Sequence, residues 1–168
     1  KAAFERILNQ EASDADLTAS LLDLSGYLYR YYKVKPWLLI DEYDTPIQSG
    51  YLNDYYDLII EFMRGLFGSA LKSNNNIHRA VITGILRISK ESLFSGVNNI
   101  KVFSILNSEY SEHFGFTEKE VDAALKNTNL TDLSSKIKSW YNGYHIGNQQ
   151  IYNPWSIMQC LAHAGKLD

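Results

Sequence analysis

From Leu17 onward the apolar side chains Leu17, Leu21, Leu24, Leu28 and Tyr31 recur at steps of four and three. That is the spacing of one helix face, and it predicts an amphipathic helix capped by Ser13 or Asp14. Residues 1–8, KAAFERIL, also read as helix. Lys35 and Pro36 break the pattern, and WLLI (residues 37–40) is then too short and too uniformly apolar for an amphipathic helix. It predicts a strand covered on both faces, the habit of parallel sheets. Tyr55, Leu58, Ile59, Phe62, Met63, Leu66 and Phe67 mark a second amphipathic helix closing near Gly68, and SNNN (73–76) is a turn. HRAVITGIL (78–86) reads as a second buried strand, SKESLFSG (89–96) as a short helix with Gly96 just past its end, and KVFSIL (101–106) as a third strand. Helices alternating with strands in this way predict an α/β domain with a mainly parallel sheet.

After Phe116 the texture changes. Thr117 followed by Glu120 is a capping-box signature that opens a helix through Leu125. A second helix is expected at 133–140. Gly147 and Asn148, between the short apolar pieces of YHIGNQQIY, suggest a small hairpin. Asn153 then Pro154 read as N-cap and first position of a last helix, 155–164. The expected organisation is a sheet domain over residues 1–116 and a mostly helical appendage with a hairpin over 117–168, without internal repeats.

Composition narrows the classes. With 168 residues, 45% of them hydrophobic, the chain can build one core, or one core and a small appendage. Sixteen basic against nineteen acidic residues give a net charge of −3, and no Lys/Arg cluster stands out in the sequence. This argues against direct binding of nucleic acid. The lone Cys160, on an apolar helical stretch without metal-ligand companions, reads as a packed thiol and suggests a cytoplasmic setting. No signal peptide and no apolar run long enough to cross a bilayer is present. Because Lys1 begins inside helix-like sequence, the chain reads as a piece of something longer.

The chemistry concentrates in WLLIDEYDTPI (37–47), where an apolar run meets Asp41, Glu42 and then Asp44. Buried charges need partners. Ligands of open α/β sheets sit outside the carboxyl ends of the strands, where these acids fall. Apolar run, Asp, Glu is how many ATPases finish the strand beside their nucleotide: Asp41 would hold hydrated Mg²⁺ and Glu42 would orient the attacking water. Successive strand residues point to opposite faces, which would separate the two tasks. The plain alternative is a strand leaving the core or capping the next helix, and short matches of this kind arise by chance. Thr83 and Arg87, at the end of the next strand, are polar groups where a γ-phosphate would need donors, although Arg87 suits a surface salt bridge equally. His78, His113, His145 and His163 have no metal-ligand spacing. WYNGY (140–144) could bind a base or peptide, but packing is the better reading of it.

Together LLIDEYDTPI, ITGILRISKESLFSGVNNIKVFSIL, YSEHFGFTEKEV and WYNGYHIG with IYNPWSI resemble the AAA-ATPase-like family, over residues 37 to about 158. This is a group of bacterial and archaeal proteins in which a P-loop NTPase domain commonly precedes a nuclease-like domain of the PD-(D/E)XK type. The resemblance implies a partial P-loop NTPase of the ASCE type, with ATP and Mg²⁺ as cofactors of the complete protein and a possible C-terminal nuclease-like domain. Asp41 and Glu42 then match the Walker B pair, Thr83 lies on the sensor strand, and Arg87 matches an arginine able to sense phosphate.

One departure is large: no GxxxxGK[ST] occurs in these residues, and AGKL (164–167) lacks both the first glycine and the hydroxyl. Without the backbone N–H groups and lysine of that loop, weak ATP binding and no hydrolysis are expected of this piece alone. The sheet is expected to have a gap where the loop's strand would lie, or its last strand to pair elsewhere. The first alternative is a non-catalytic regulatory or partner-binding module that keeps the fold. The second, a metal-dependent nuclease using Asp41, Glu42 and Asp44, lacks a lysine at the ExK spacing.

Overall fold

The computed structural model describes residues 2–86, 93, 94, 97, 99–141 and 143–167. They form two units, Lys1–Ile100 and Lys101–Asp168.

In the first unit α1 (Ala2–Leu8) leads to α2 (Asp14–Tyr32). Ser13 caps α2 through a full capping box: its hydroxyl accepts from the Asp16 N–H, and the Asp16 carboxylate accepts from the Ser13 N–H at 3.0 Å. Asp16 also receives Arg6 Nε at 2.8 Å, which ties α1 to the start of α2 and holds the Asp16 carboxyl well below the usual carboxylate range. At the far end Lys33 takes a left-handed conformation and donates to the Tyr29 carbonyl, closing the helix.

Next come β1 (Trp37–Ile40), α3 (Thr45–Leu52), α4 (Tyr56–Leu71) and β2 (Arg79–Ile82). The helix expected to close near Gly68 runs three residues further because Ala70 and Leu71 are buried and extend its inner stripe. Ile47, Ile60, Met63 and Phe67 form the core with Leu93 and Val97, and Leu38, Ile40 and Ile82 of the strands pack on it. β1 and β2 pair in parallel, Trp37 opposite Arg79 through Ile40 opposite Ile82.

Two expectations about this sheet need correction. Among the described residues the strands are covered on one face: Leu38 and Ile40 turn to the core, while Trp37, Val81 and Leu39, the last 71% exposed, face outward. An apolar run shows that both faces could be buried, and the described helices supply only one layer. Nor is KVFSIL a strand. Residues 101–106 join no sheet; Ser104 and Asn107 instead close a local turn, Asn107 N–H to the Ser104 carbonyl and Ser104 N–H to Asn107 Oδ1. Loose alternation without a partner ladder loses to a side chain that satisfies the backbone locally. The short helix expected at 89–96 falls, apart from Leu93 and Phe94, outside the described residues.

The second unit carries β3 (Phe116–Thr117), α5 (Glu118–Asn127), α6 (Ser134–Tyr141), β4 (Tyr144–Ile146), β5 (Gln149–Tyr152) and α7 (Pro154–Ala162). β4 and β5 make the expected hairpin, and β3 adds to the other edge of β5 to give an antiparallel sheet ordered β3-β5-β4. Thr117 and Glu120 form the capping box of α5, and Asn153 caps α7 with Pro154 in its first turn. Val121, Leu125, Ile137, Tyr152, Ile157 and Cys160 build a core, so Cys160 is the packed thiol expected of it. Lys138 reaches Glu118 at 2.9 Å and Asp122 at 2.7 Å, clamping α6 to α5.

The fold is thus α/β, with seven α-helices, one parallel strand pair and one three-stranded antiparallel sheet among the described residues. No described helix is long and apolar enough to cross a membrane.

Candidate functional site

Because β1 and β2 run in parallel, their carboxyl ends share one edge of the first unit. The ladder continues past both strands: Thr83 N–H donates to the Ile40 carbonyl at 2.9 Å, and Tyr43 N–H to the Thr83 carbonyl at 3.0 Å. Those two bonds place Thr83 beside Asp41. The Thr83 hydroxyl donates to Asp41 Oδ1, which also accepts the Glu42 N–H at 3.0 Å. Asp41, Glu42 and Thr83 are all exposed on this edge. Strand alternation does not set the direction of Glu42, because β1 ends at Ile40 and Glu42 has a φ of 52°. A left-handed backbone is strained by about 1 kcal/mol for a residue with a Cβ; Thr45 steadies it, its N–H donating to the Glu42 carbonyl at 3.0 Å.

Asp44 enters the sequence reading only as the third acid of the nuclease alternative. It is only 1% exposed and faces the segment after β2. Its carboxylate accepts the Leu86 N–H at 2.7 Å, the Ile85 N–H at 3.2 Å and Gln48 Nε2 at 3.1 Å. Burial alone would push this carboxyl up, but those hydrogen bonds outweigh it and hold Asp44 below the usual carboxylate range. A carboxylate so occupied is a backbone clamp, which removes the third acid from the nuclease reading. Tyr43 reinforces the clamp, its hydroxyl donating to the Leu86 carbonyl at 2.8 Å. Gly84 makes the approach possible: a Cβ there would lie 2.5 Å from Asp44 Oδ1 and 2.6 Å from the Tyr43 ring. One signal was available in the sequence, an isolated glycine in an apolar run as a mark of close backbone approach.

Arg87 lies outside the described residues. Among those described, no group of three or more His, Cys, Asp or Glu gathers to hold a metal ion. His78 stacks obliquely on Trp37, and His163 Nδ1 lies 2.9 Å from the Gln159 carbonyl. Of WYNGY, Tyr141 packs into the second core while Trp140 and Tyr144 stay exposed. What the sheet edge offers is oxygen chemistry: the Asp41 and Glu42 carboxylates and the Thr83 hydroxyl, with no hydrogen bond formed to Asp41 Oδ2 among the described residues. Such donors suit a hard, hydrated cation such as Mg²⁺ and are a poor match for a soft metal.

A family model described as a predicted AAA-ATPase, AAA-ATPase-like, matches residues 2–94, from α1 through both strands and the acidic edge. The chain belongs to that family. Over 123 residues it is also 35% identical to an "Uncharacterized protein in vnfD 5'region" from Azotobacter chroococcum mcd 1. That likeness covers 72% of this AAA-ATPase-like chain but 23% of the relative, so the chain spans about a quarter of the relative's length. No solved structure matches it.

Proposed function

We propose that Asp41, Glu42 and Thr83 form the hydrolysis-side edge of an ATP site in the complete protein. Asp41 is the residue to hold Mg²⁺ through its water shell; bound there, the ion would supply neutralisation of phosphate charge. Glu42, beside it, orients the attacking water and accepts its proton. Thr83 holds one Asp41 oxygen and thereby fixes the direction of the other. Arg87 is proposed, on the family resemblance, as a phosphate-sensing arginine. The phosphate-gripping loop is proposed to come from chain outside these 168 residues, none of which form GxxxxGK[ST]. The observation that carries this reading is the meeting of Asp41 and Thr83 at the shared carboxyl end of a parallel strand pair, in a chain of the predicted AAA-ATPase family.

The test is phosphate release and Mg²⁺-ATP binding by the complete protein, wild type against Glu42→Gln. Binding within about twofold and turnover reduced by about 10²-fold or more is the expected pair of results, the range for losing a general base. Unchanged turnover in Glu42→Gln would overturn the assignment. Wild-type protein that binds Mg²⁺-ATP without turning it over would favour the non-catalytic, partner-binding module.

A further inference from the structure

The acidic edge has a basic counterpart at the opposite, amino-terminal ends of the same two strands. Asp23 and Asp41 are separated by a stretch, residues 24–40, that contains no Asp or Glu; residues 62–90 contain none either. The fold brings parts of these stretches together. Lys33 follows the last residue of α2 and the chain enters β1 four residues later; Lys72 follows the last residue of α4 and the chain enters β2 at Arg79. His78 N–H ties the two connections by donating to the Pro36 carbonyl at 2.8 Å, and Asn74 Nδ2 anchors the second connection to the body of α2 by donating to Ser25 Oγ at 3.1 Å. Arg30, Lys33, Lys35, Lys72 and Arg79 are all exposed there, and none forms an ion pair among the described residues.

Aromatic rings are interleaved with these cations. Tyr31 is 80% and Tyr32 65% exposed, with ring centroids 4.8 Å apart in an edge-on pair. Trp37 is exposed beside its strand partner Arg79. Helix-end cations favour the helix dipole, which accounts in part for Arg30 and Lys72. It does not account for the missing carboxylates, for Lys35 and Arg79 at the strand starts, or for three large rings left in water.

We propose that this pole binds single-stranded nucleic acid, its cations following the phosphates and Tyr31, Tyr32 and Trp37 offering faces on which bases stack. Every base has a face to stack, so sequence preference is weak and charge dominates. Val34 is the exposed aliphatic side chain between Lys33 and Lys35, while Tyr31, Tyr32 and Trp37 flank them; rigid rings that outnumber aliphatic side chains among the cations favour this occupant over an anionic bilayer. The sequence shows no basic cluster because the cations sit in two segments some forty positions apart, joined only by the parallel pairing.

Fluorescence anisotropy of a labelled 20-nucleotide oligo(dT), titrated with the 168-residue chain, tests the proposal. Neutralising about four or five phosphates predicts a log–log salt slope of about −3 between 50 and 200 mM salt. Lys33→Glu with Lys35→Glu should weaken binding by about tenfold or more, and Tyr31→Ala by about fivefold or more, the lower end for a lost stacking contact. Circular dichroism checks that each variant is folded; should the double variant unfold, Tyr31→Ala, at a well-exposed position, carries the test. No binding at 50 mM salt, or binding unchanged in the variants, would overturn the assignment. So would tighter binding to a duplex of equal length or to phosphatidylserine vesicles.

Discussion

Among the described residues Asp44 keeps its charge in the interior on amide donors, without a cation. Asp44→Ala leaves two backbone N–H groups and the Gln48 amide without their acceptor, which should destabilise the protein by about 3 kcal/mol in chemical denaturation. The pH dependence follows from the depressed carboxyl. Its stabilising contribution is full above the unfolded value of about 4 and is lost as pH falls from there through the lower folded value. The stability gap between wild type and Asp44→Ala should therefore narrow below about pH 4; a gap that widens there would remove the clamp. Gly84→Ala tests the same contact from the other side, and its Cβ has no room. A loss of about 1 to 3 kcal/mol is expected, the range for overpacking. The positions of Asp41 and Thr83 were legible because strand ends and an acidic run locate an edge. The clamp was not, because nothing local distinguishes a carboxylate that turns inward to receive amides from two neighbours that face water.

At the scale of elements, the boundaries read best where side-chain chemistry marks them. Ser13 with Asp16, Thr117 with Glu120, and Asn153 with Pro154 each open a helix where the sequence placed one. Removing a cap leaves an N–H of the first turn unpaired, so Thr117→Ala should cost about 1 kcal/mol, read as a lower melting temperature. Where such marks mislead, the reading failed. α3 was missed because TPIQSGYL carries a proline and a glycine and resembles a loop. Pro46 sits in the first turn, where no N–H is needed, and Gly50 lets Ile59 approach so closely that a Cβ would lie 2.5 Å from it. The third strand failed for the opposite reason: its pattern was acceptable, but a strand is completed only by a neighbour that sequence periodicity does not name.

At the scale of the whole molecule, alternation of helix and strand was enough to give the α/β class and the parallel pairing, while the number of layers was not readable. Uniform apolarity in WLLI records tolerance for burial on two sides and says nothing of which segments provide it. The two ends of the β1–β2 pair carry opposite charge, acids past the carboxyl ends and cations before the amino ends, an asymmetry invisible in a net charge of −3. The 168-residue chain by itself is expected to release no phosphate from Mg²⁺-ATP in a coupled assay, since none of its residues form the phosphate loop. Measurable turnover would show that another segment grips the nucleotide.

The outward row of Trp37, Leu39 and Val81 has a practical consequence for anyone preparing this chain. Greasy side chains standing in solvent on a short, flat ribbon attract one another between molecules. Light scattering should therefore rise with concentration, an environment-sensitive dye such as ANS should brighten, and Leu39→Lys should suppress both without lowering the melting temperature.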